Sequence, residues 1–101
     1  MTPEGKIAAY LTRRVRELGW EQRKVEWSGR RGAPDRFIMP PNGPSFWVEL
    51  KAPGGKLKDH QAREINRMQN AGNLVFVAGS TSAIDELLES IDRIRVNQDR
   101  Q

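Results

Sequence analysis

The run Phe46-Trp47-Val48-Glu49-Leu50-Lys51 constrains this chain more than any other stretch. Side chains of a strand alternate between faces, so Phe46, Val48 and Leu50 share one side while Trp47, Glu49 and Lys51 share the other. The first face is apolar and belongs against a core. The second presents a carboxylate and an ammonium, which places it at a solvated surface or in an active site. Ala52-Pro53-Gly54-Gly55 then breaks the strand.

A half-buried strand needs partners, and the sequence on either side supplies them. Arg36-Phe37-Ile38-Met39 is a second short run of β-formers, joined to the first through Pro40-Pro41-Asn42-Gly43-Pro44. The two make a hairpin, whose three prolines give a longer and stiffer connection than a bare Asn-Gly turn. A looser alternation between Trp20 and Trp27, with Val25 and Trp27 on one face, predicts a strand before them. The glycine- and arginine-rich residues 28–34 read as a loop.

Helices flank these strands. Thr2-Pro3 is a helix cap followed by proline at the first helical position, and Ile7, Leu11, Val15 and Leu18 recur at helical spacing up to Gly19. A second helix runs from Lys58 to Ala71, with Ala62, Ile65, Met68 and Ala71 as a narrow apolar stripe ended by Gly72. Leu74-Val75-Phe76-Val77-Ala78 has the length and apolar continuity of a buried central strand. A third helix, capped near Ser80 or Ser82, buries Ile84, Leu87, Leu88 and Ile91. The last strand can join the others in parallel only through the helical crossover before it. The expected fold is therefore α/β (α+β), a mixed four-stranded sheet flanked by helices. It forms one domain over residues 1–96, with residues 97–101 as a flexible tail.

Composition narrows the functional classes. The chain has 101 residues, the size of one domain with a modest core, so a homodimer is plausible on stability grounds alone. It has no cysteine, which excludes disulfides and thiolate metal sites and fits an intracellular, cytoplasmic setting. It also lacks an apolar run of about 18 residues and an export signal, so no membrane association is expected. Seventeen Lys and Arg stand against thirteen Asp and Glu, for a net charge of +4. Residues 1–36 hold nine basic and five acidic side chains, whereas residues 80–101 hold three and five. Such asymmetry suits a polyanion, although a net charge of +4 alone fits an ordinary solvated surface equally well.

The chemistry centres on Asp35, Glu49 and Lys51. Asp35 opens the first hairpin strand behind Pro34, and hairpin pairing can bring it beside Glu49. Two adjacent carboxylates repel unless a cation joins them, and a hard divalent ion such as Mg²⁺ takes oxygen ligands while keeping several waters. Lys51 can then stabilise charge on a phosphate or help to activate water. Arg30 and Arg31 in the loop, with Lys56, Lys58 and Arg63 downstream, are candidate phosphate contacts. His60 has no serine or cysteine partner for a triad and receives no role. Trp20, Trp27 and Trp47 fit core or interface positions better than base stacking.

Pro34-Asp35, thirteen residues, then Glu49-Leu50-Lys51 resembles the signature of the PD-(D/E)XK nuclease superfamily. Arg30-Arg31-Gly32-Ala33-Pro34-Asp35-Arg36, the block from Val48 to Leu57 and Gln61 together resemble the stand-alone VRR-NUC family of phages and bacteria. That resemblance covers nearly the whole chain and implies a restriction-endonuclease-like αβββαβ core. It also implies that Asp35 and Glu49 bind Mg²⁺ or Mn²⁺ with the Leu50 backbone carbonyl, and that Lys51 is the catalytic lysine. By the same likeness Gln61 helps to place water or phosphate, and Glu4 contributes to the metal site. The match departs at Lys58-Asp59, where related sequences usually have Ser-Pro.

The activity so implied is metal-dependent hydrolysis of DNA phosphodiesters without a covalent intermediate. The resemblance further implies a homodimer with two active sites, cutting four-way (Holliday) junctions or other branched DNA during phage or bacterial repair. The alternative is a non-catalytic module of the same fold that binds branched DNA by shape. A sequence-reading restriction enzyme would need more surface than this chain offers.

Overall fold

The computed structural model describes residues 1–99. Its elements are α1 (Pro3–Glu17), β1 (Glu21–Lys24), β2 (Arg36–Met39), β3 (Phe46–Leu50), α2 (Asp59–Asn70), β4 (Val75–Ala78) and α3 (Thr81–Asp99). They build one four-stranded sheet in the order β1-β2-β3-β4, antiparallel except for the parallel β3–β4 pair. The mixed sheet expected from the sequence is thus formed, with α2 as the crossover. Among the described residues no helix is long and apolar enough to span a membrane.

The apolar face of β3 determines where the core lies. Phe46, Val48 and Leu50 are buried together with Ile38, against Ile7, Leu11 and Val15 of α1 and Ile84, Leu87, Leu88 and Ile91 of α3. Trp20 joins them edge-on to Phe46, and Arg95 of α3 lies over the Trp20 ring. The side chain of Thr2 caps α1 by accepting from Gly5 N–H at 3.0 Å, as the Thr-Pro start predicts. Tyr10 and Arg14 of α1 both reach Asp85 of α3, at 2.7 and 3.3 Å, which fixes the two core helices to each other.

Four expectations change. β4 is an edge strand rather than a central one: it pairs only with β3, and Val77 is 43% exposed. β1 is four residues long and polar, ending before Val25, because buried Trp20 rather than an alternating face anchors it to the core. α2 buries Ile65 and Glu64, while Ala62 and Ala71 are exposed, so its apolar stripe is thinner than its sequence implies. The segment from Asn97 read as a loose tail is helical to Asp99 as part of α3; residues 100 and 101 of that tail lie outside the described residues.

Candidate active site at the end of β3

The β2–β3 register pairs Arg36 with Val48 and Phe37 with Trp47, so one further step sets Asp35 opposite Glu49. The Asp35 carbonyl accepts from Val25 N–H at 2.7 Å, which carries the β1–β2 ladder on through Asp35. The N–H groups of Trp47 and Lys51 point to β4, so odd-numbered residues of β3 bond away from β2. The β2–β3 ladder ends at Arg36–Val48, and Asp35 and Glu49, the next residue of each strand, line one cavity at its end. The start of α1 reaches the same place, since Glu4, Gly5 and Ala8 line that cavity as well.

The same parity explains the proline before Asp35. Even-numbered residues of β3 direct their backbone groups to β2, and continuing the register beyond its last pair would set Leu50 against Pro34, which has no N–H to give. The Leu50 carbonyl is thus deprived of its ladder donor beside the two carboxylates. Pro34 itself is fully buried, and its own carbonyl accepts from Trp27 Nε1 at 2.8 Å. Trp27 in turn packs at a tilt against Trp47, with ring centroids 5.1 Å apart. Trp27 had no functional reading in the sequence, since nothing in a lone tryptophan shows that it braces a loop seven residues on. Pro34→Ala, which restores an N–H opposite Leu50, is expected to weaken Mn²⁺ binding by roughly three- to tenfold, the net worth of one hydrogen bond. Titration calorimetry on the folded variant checks this.

Asp35, Glu49, Leu50, Lys51 and Gln61 line one cavity of about 440 Å³, together with Glu4, Lys24, Arg36 and Lys58. Lys51 Nζ donates to Gln61 Oε1 at 2.8 Å and stands 3.8 Å from Glu49 Oε1. Gln61 Oε1 also accepts from Lys58 N–H at 2.9 Å. Lysine offers no side-chain acceptor for capping, so where a serine would cap α2, Gln61 alone closes its first turn. The Lys58-Asp59 departure therefore leaves Gln61 firmly held, and its immediate task is to position Lys51.

Burial pushes the Glu49 carboxyl up to about 7; Lys51 opposes the shift, and Asp35 and Glu4 add to it. A carboxylate so destabilised beside a second one is a place where a cation is favoured. The donors are all oxygen, from Asp35, Glu49 and the Leu50 carbonyl, which suits Mg²⁺ or Mn²⁺ with waters completing the shell. Glu4 lines the cavity and acts on Glu49 through its charge. Among the described residues, however, no three Asp, Glu, His or Cys side chains cluster closely enough to hold a metal by themselves.

The five basic residues read as phosphate contacts divide. Arg30 is engaged by Glu64, with Nε 3.0 Å from Oε2 and Nη2 on Oε1, and Arg67 reaches the same carboxylate. Glu64 is only 3% exposed, and these guanidinium hydrogen bonds, Arg30's foremost, hold its carboxyl below the usual range. Arg30 thus latches the loop to α2. Arg31, Lys58 and Arg63 instead gather with Lys51 around His60; burial first, then these four charges, lower the His60 pKa. Lys56 is exposed on the loop before α2. Gly32 presses the loop onto α2 at φ +85°, where an added Cβ would stand 2.8 Å from the His60 ring and 3.1 Å from Gln61 Cα. Glu64→Ala is expected to lower the melting temperature by several degrees and to open residues 28–34 to proteolysis. Scanning calorimetry and limited trypsin digestion read both effects.

A mixed sheet carrying two carboxylates and a positioned lysine at one strand end, flanked by a cationic cluster, has the form of a nuclease. No protein-family model matches the chain. A curated relative, "Putative nuclease p44" of Acyrthosiphon pisum secondary endosymbiont phage 1, is 42% identical over 77 residues, covering 76% of this chain and 83% of its own. A solved structure of a VRR_NUC domain superposes with a TM-score of 0.82 at 39% identity, covering 88% of this chain and 97% of that one. The chain belongs to the VRR-NUC nuclease family.

Proposed function

We propose that the protein is a metal-dependent, structure-selective DNA endonuclease that hydrolyses phosphodiesters at the cavity formed by Asp35, Glu49 and Lys51. The observation that carries this reading is the juxtaposition of Asp35 and Glu49 at the end of β3, with Lys51 held by Gln61 in the same cavity. Asp35, Glu49 and the Leu50 carbonyl would hold Mg²⁺ or Mn²⁺. When bound, the cation supplies Lewis acidity to a phosphoryl oxygen and lowers the pKa of a water. Lys51 places its ammonium where negative charge develops on the phosphate. Gln61 fixes Lys51 through its Oε1, which leaves its amide nitrogen to donate to water or a phosphate oxygen. Arg31, Lys58 and Arg63 lie where the adjoining backbone passes, and Lys56 extends that surface.

One domain over residues 1–96 is enough for this chemistry. Two copies about a two-fold axis would present two such sites, as cutting both strands of a branched substrate requires. A charged cavity among phosphate-binding side chains offers no deep base-reading surface, which favours recognition by shape.

Cleavage of duplex, flap and four-way-junction DNA, each in two unrelated sequences, tests the selectivity. A rate that depends on branch geometry and not on sequence is expected, with cutting lost in EDTA. That no three acidic, His or Cys side chains among the described residues cluster closely enough to hold a metal favours a binding module of the same fold. Tight junction binding without cutting in Mg²⁺ or Mn²⁺ would establish that module instead.

A further inference from the structure

We infer that the groove between α1 and β1 is a second backbone-binding track, in which Arg36, Lys24 and Arg16 hold phosphates of the substrate strand beyond the scissile one. This rests on the nuclease reading above. The groove has a volume of about 560 Å³ and continues from the catalytic cavity, because Lys24 and Arg36 line both. It runs beneath α1 to Arg16 and Trp20 at the far end of that helix.

Lys24 and Arg36 are direct cross-strand partners, so their side chains leave the same face of the sheet. Like charges in that relation repel, and such a pair is unfavourable unless an anion joins it. Glu21, the acidic residue lining the groove, is taken by Arg23 at 2.9 Å. Asp35 Oδ1 stands 3.9 Å from Arg36 Nε at the cavity end, a long ion pair that leaves the Lys24 ammonium without one. Among the described residues Arg16 and Lys24 form no ion pair.

The groove also has a polar floor that aims the guanidinium. Gln22 spans it, accepting from Arg36 Nη1 at 3.5 Å and donating to Thr12 Oγ1 of α1 at 3.3 Å. Arg36 is thereby held with its side chain 21% exposed, which is unlike a freely solvated surface arginine. Twelve helical residues separate Glu4 at the cavity from Arg16, or roughly 18 Å at 1.5 Å per residue. One strand of duplex DNA carries a phosphate about every 3.4 Å along its axis, so the track spans about five nucleotides. The α2 cluster of Arg31, Lys58 and Arg63 lies on the other side of the cavity's carboxylates. The strand is then gripped on both flanks of the cut.

The test measures binding without chemistry. Full-length Lys51→Ala protein, with and without Arg16→Gln plus Lys24→Gln, is titrated in EDTA with a fluorescent flap DNA across a range of KCl concentrations. Each phosphate contact removed lowers the slope of log K against log salt by about 0.9. The double change should therefore reduce the slope by nearly two and weaken binding some ten- to a hundredfold at 0.1 M salt. Arg16→Lys with Lys24→Arg, which keeps both charges, should retain the slope and shows that the fold is not at issue. An unchanged slope and affinity in the Gln pair, alongside losses in Arg31→Gln plus Arg63→Gln, would overturn the track. Failure of the nuclease reading is separate, since it would appear as no metal-dependent cutting by the unmodified protein.

Discussion

Lys51→Ala is expected to cut branched DNA at least a thousandfold more slowly than the unmodified protein while binding it with nearly the same affinity. Removing one preorganised group that meets developing charge costs about 10²–10³ in rate, or roughly 3–4 kcal/mol. Lys51 sits at or beyond the top of that range because it acts on two sides. Its ammonium faces the cavity, and it also opposes the burial that disfavours the ionised Glu49. Without it, less Glu49 is charged at neutral pH and the cation site weakens as well. The side chain is 16% exposed and held by a 2.8 Å bond to Gln61, so little of its effect is spread into solvent. Gln61→Ala, which frees Lys51 without removing it, should lose some ten- to a hundredfold. Single-turnover cleavage with circular dichroism as the folding control measures both. Equal losses in rate and in DNA binding would mean that Lys51 only holds the substrate.

Glu49→Gln is expected to make the metal-free protein more stable as it abolishes activity. The folded carboxyl titrates near 7 against 4.5 for the free group, chiefly through burial. A raised carboxyl pKa means that the unfolded chain loses this proton first as pH rises. The contribution of Glu49 is thus fully favourable below about 4.5 and is lost progressively as pH climbs to about 7. Across that window the wild type forfeits on the order of 3 kcal/mol at this one group. Glutamine carries no charge to desolvate, so the variant should melt roughly 10 °C higher at pH 8 and match the wild type near pH 4. Divalent cation reverses the order for the wild type alone. At a hundred times its dissociation constant it adds about 2.7 kcal/mol to a protein that binds it, and nothing to one whose site is broken. Thermal melts at pH 4, 6 and 8, with EDTA or Mn²⁺, contain every comparison. A variant less stable than the wild type at pH 8 would show that Glu49 is relieved by contacts within the chain, with no call for a cation.

Much of this site was legible in the sequence because it lies on one short strand. Alternation alone sets Glu49 and Lys51 away from Phe46, Val48 and Leu50, and the hairpin brings Asp35 across from Glu49. What stayed hidden depends on residues far apart along the chain. Arg30 and Glu64 are separated by 34 positions, and neither the loop nor the polar helix shows that the two form a latch. Arg30 was read as a phosphate contact alongside Arg31, and its structural task of holding Glu64 could not be foreseen. Glu64 drew no reading, because Ala62, Ile65, Met68 and Ala71 marked the expected buried stripe of α2.

The position of β4 was hidden for another reason. An apolar run fits a central or an edge strand equally well, and the difference lies in whether any further strand pairs with it. The helical continuation through Asn97 follows from packing, since Ile91 is buried and Arg95, stacked over Trp20, donates to the Pro41 carbonyl at 3.2–3.3 Å. These contacts anchor α3 as far as Arg95, and the residues read as a tail continue the helix to Asp99. Pro34 lies between the two cases. Its place in the motif was plain, but its effect on the Leu50 carbonyl emerges only from the register of β2 against β3.

The measurement that reaches the centre of this account is cleavage of a labelled four-way junction by purified protein and by Asp35→Ala, in Mg²⁺, in Mn²⁺ and in EDTA. The Asp35–Glu49 site predicts cutting by the wild type with either metal, none in EDTA, and a loss of at least a thousandfold in the variant. Cutting that persists in EDTA, or that survives Asp35→Ala undiminished, would contradict it.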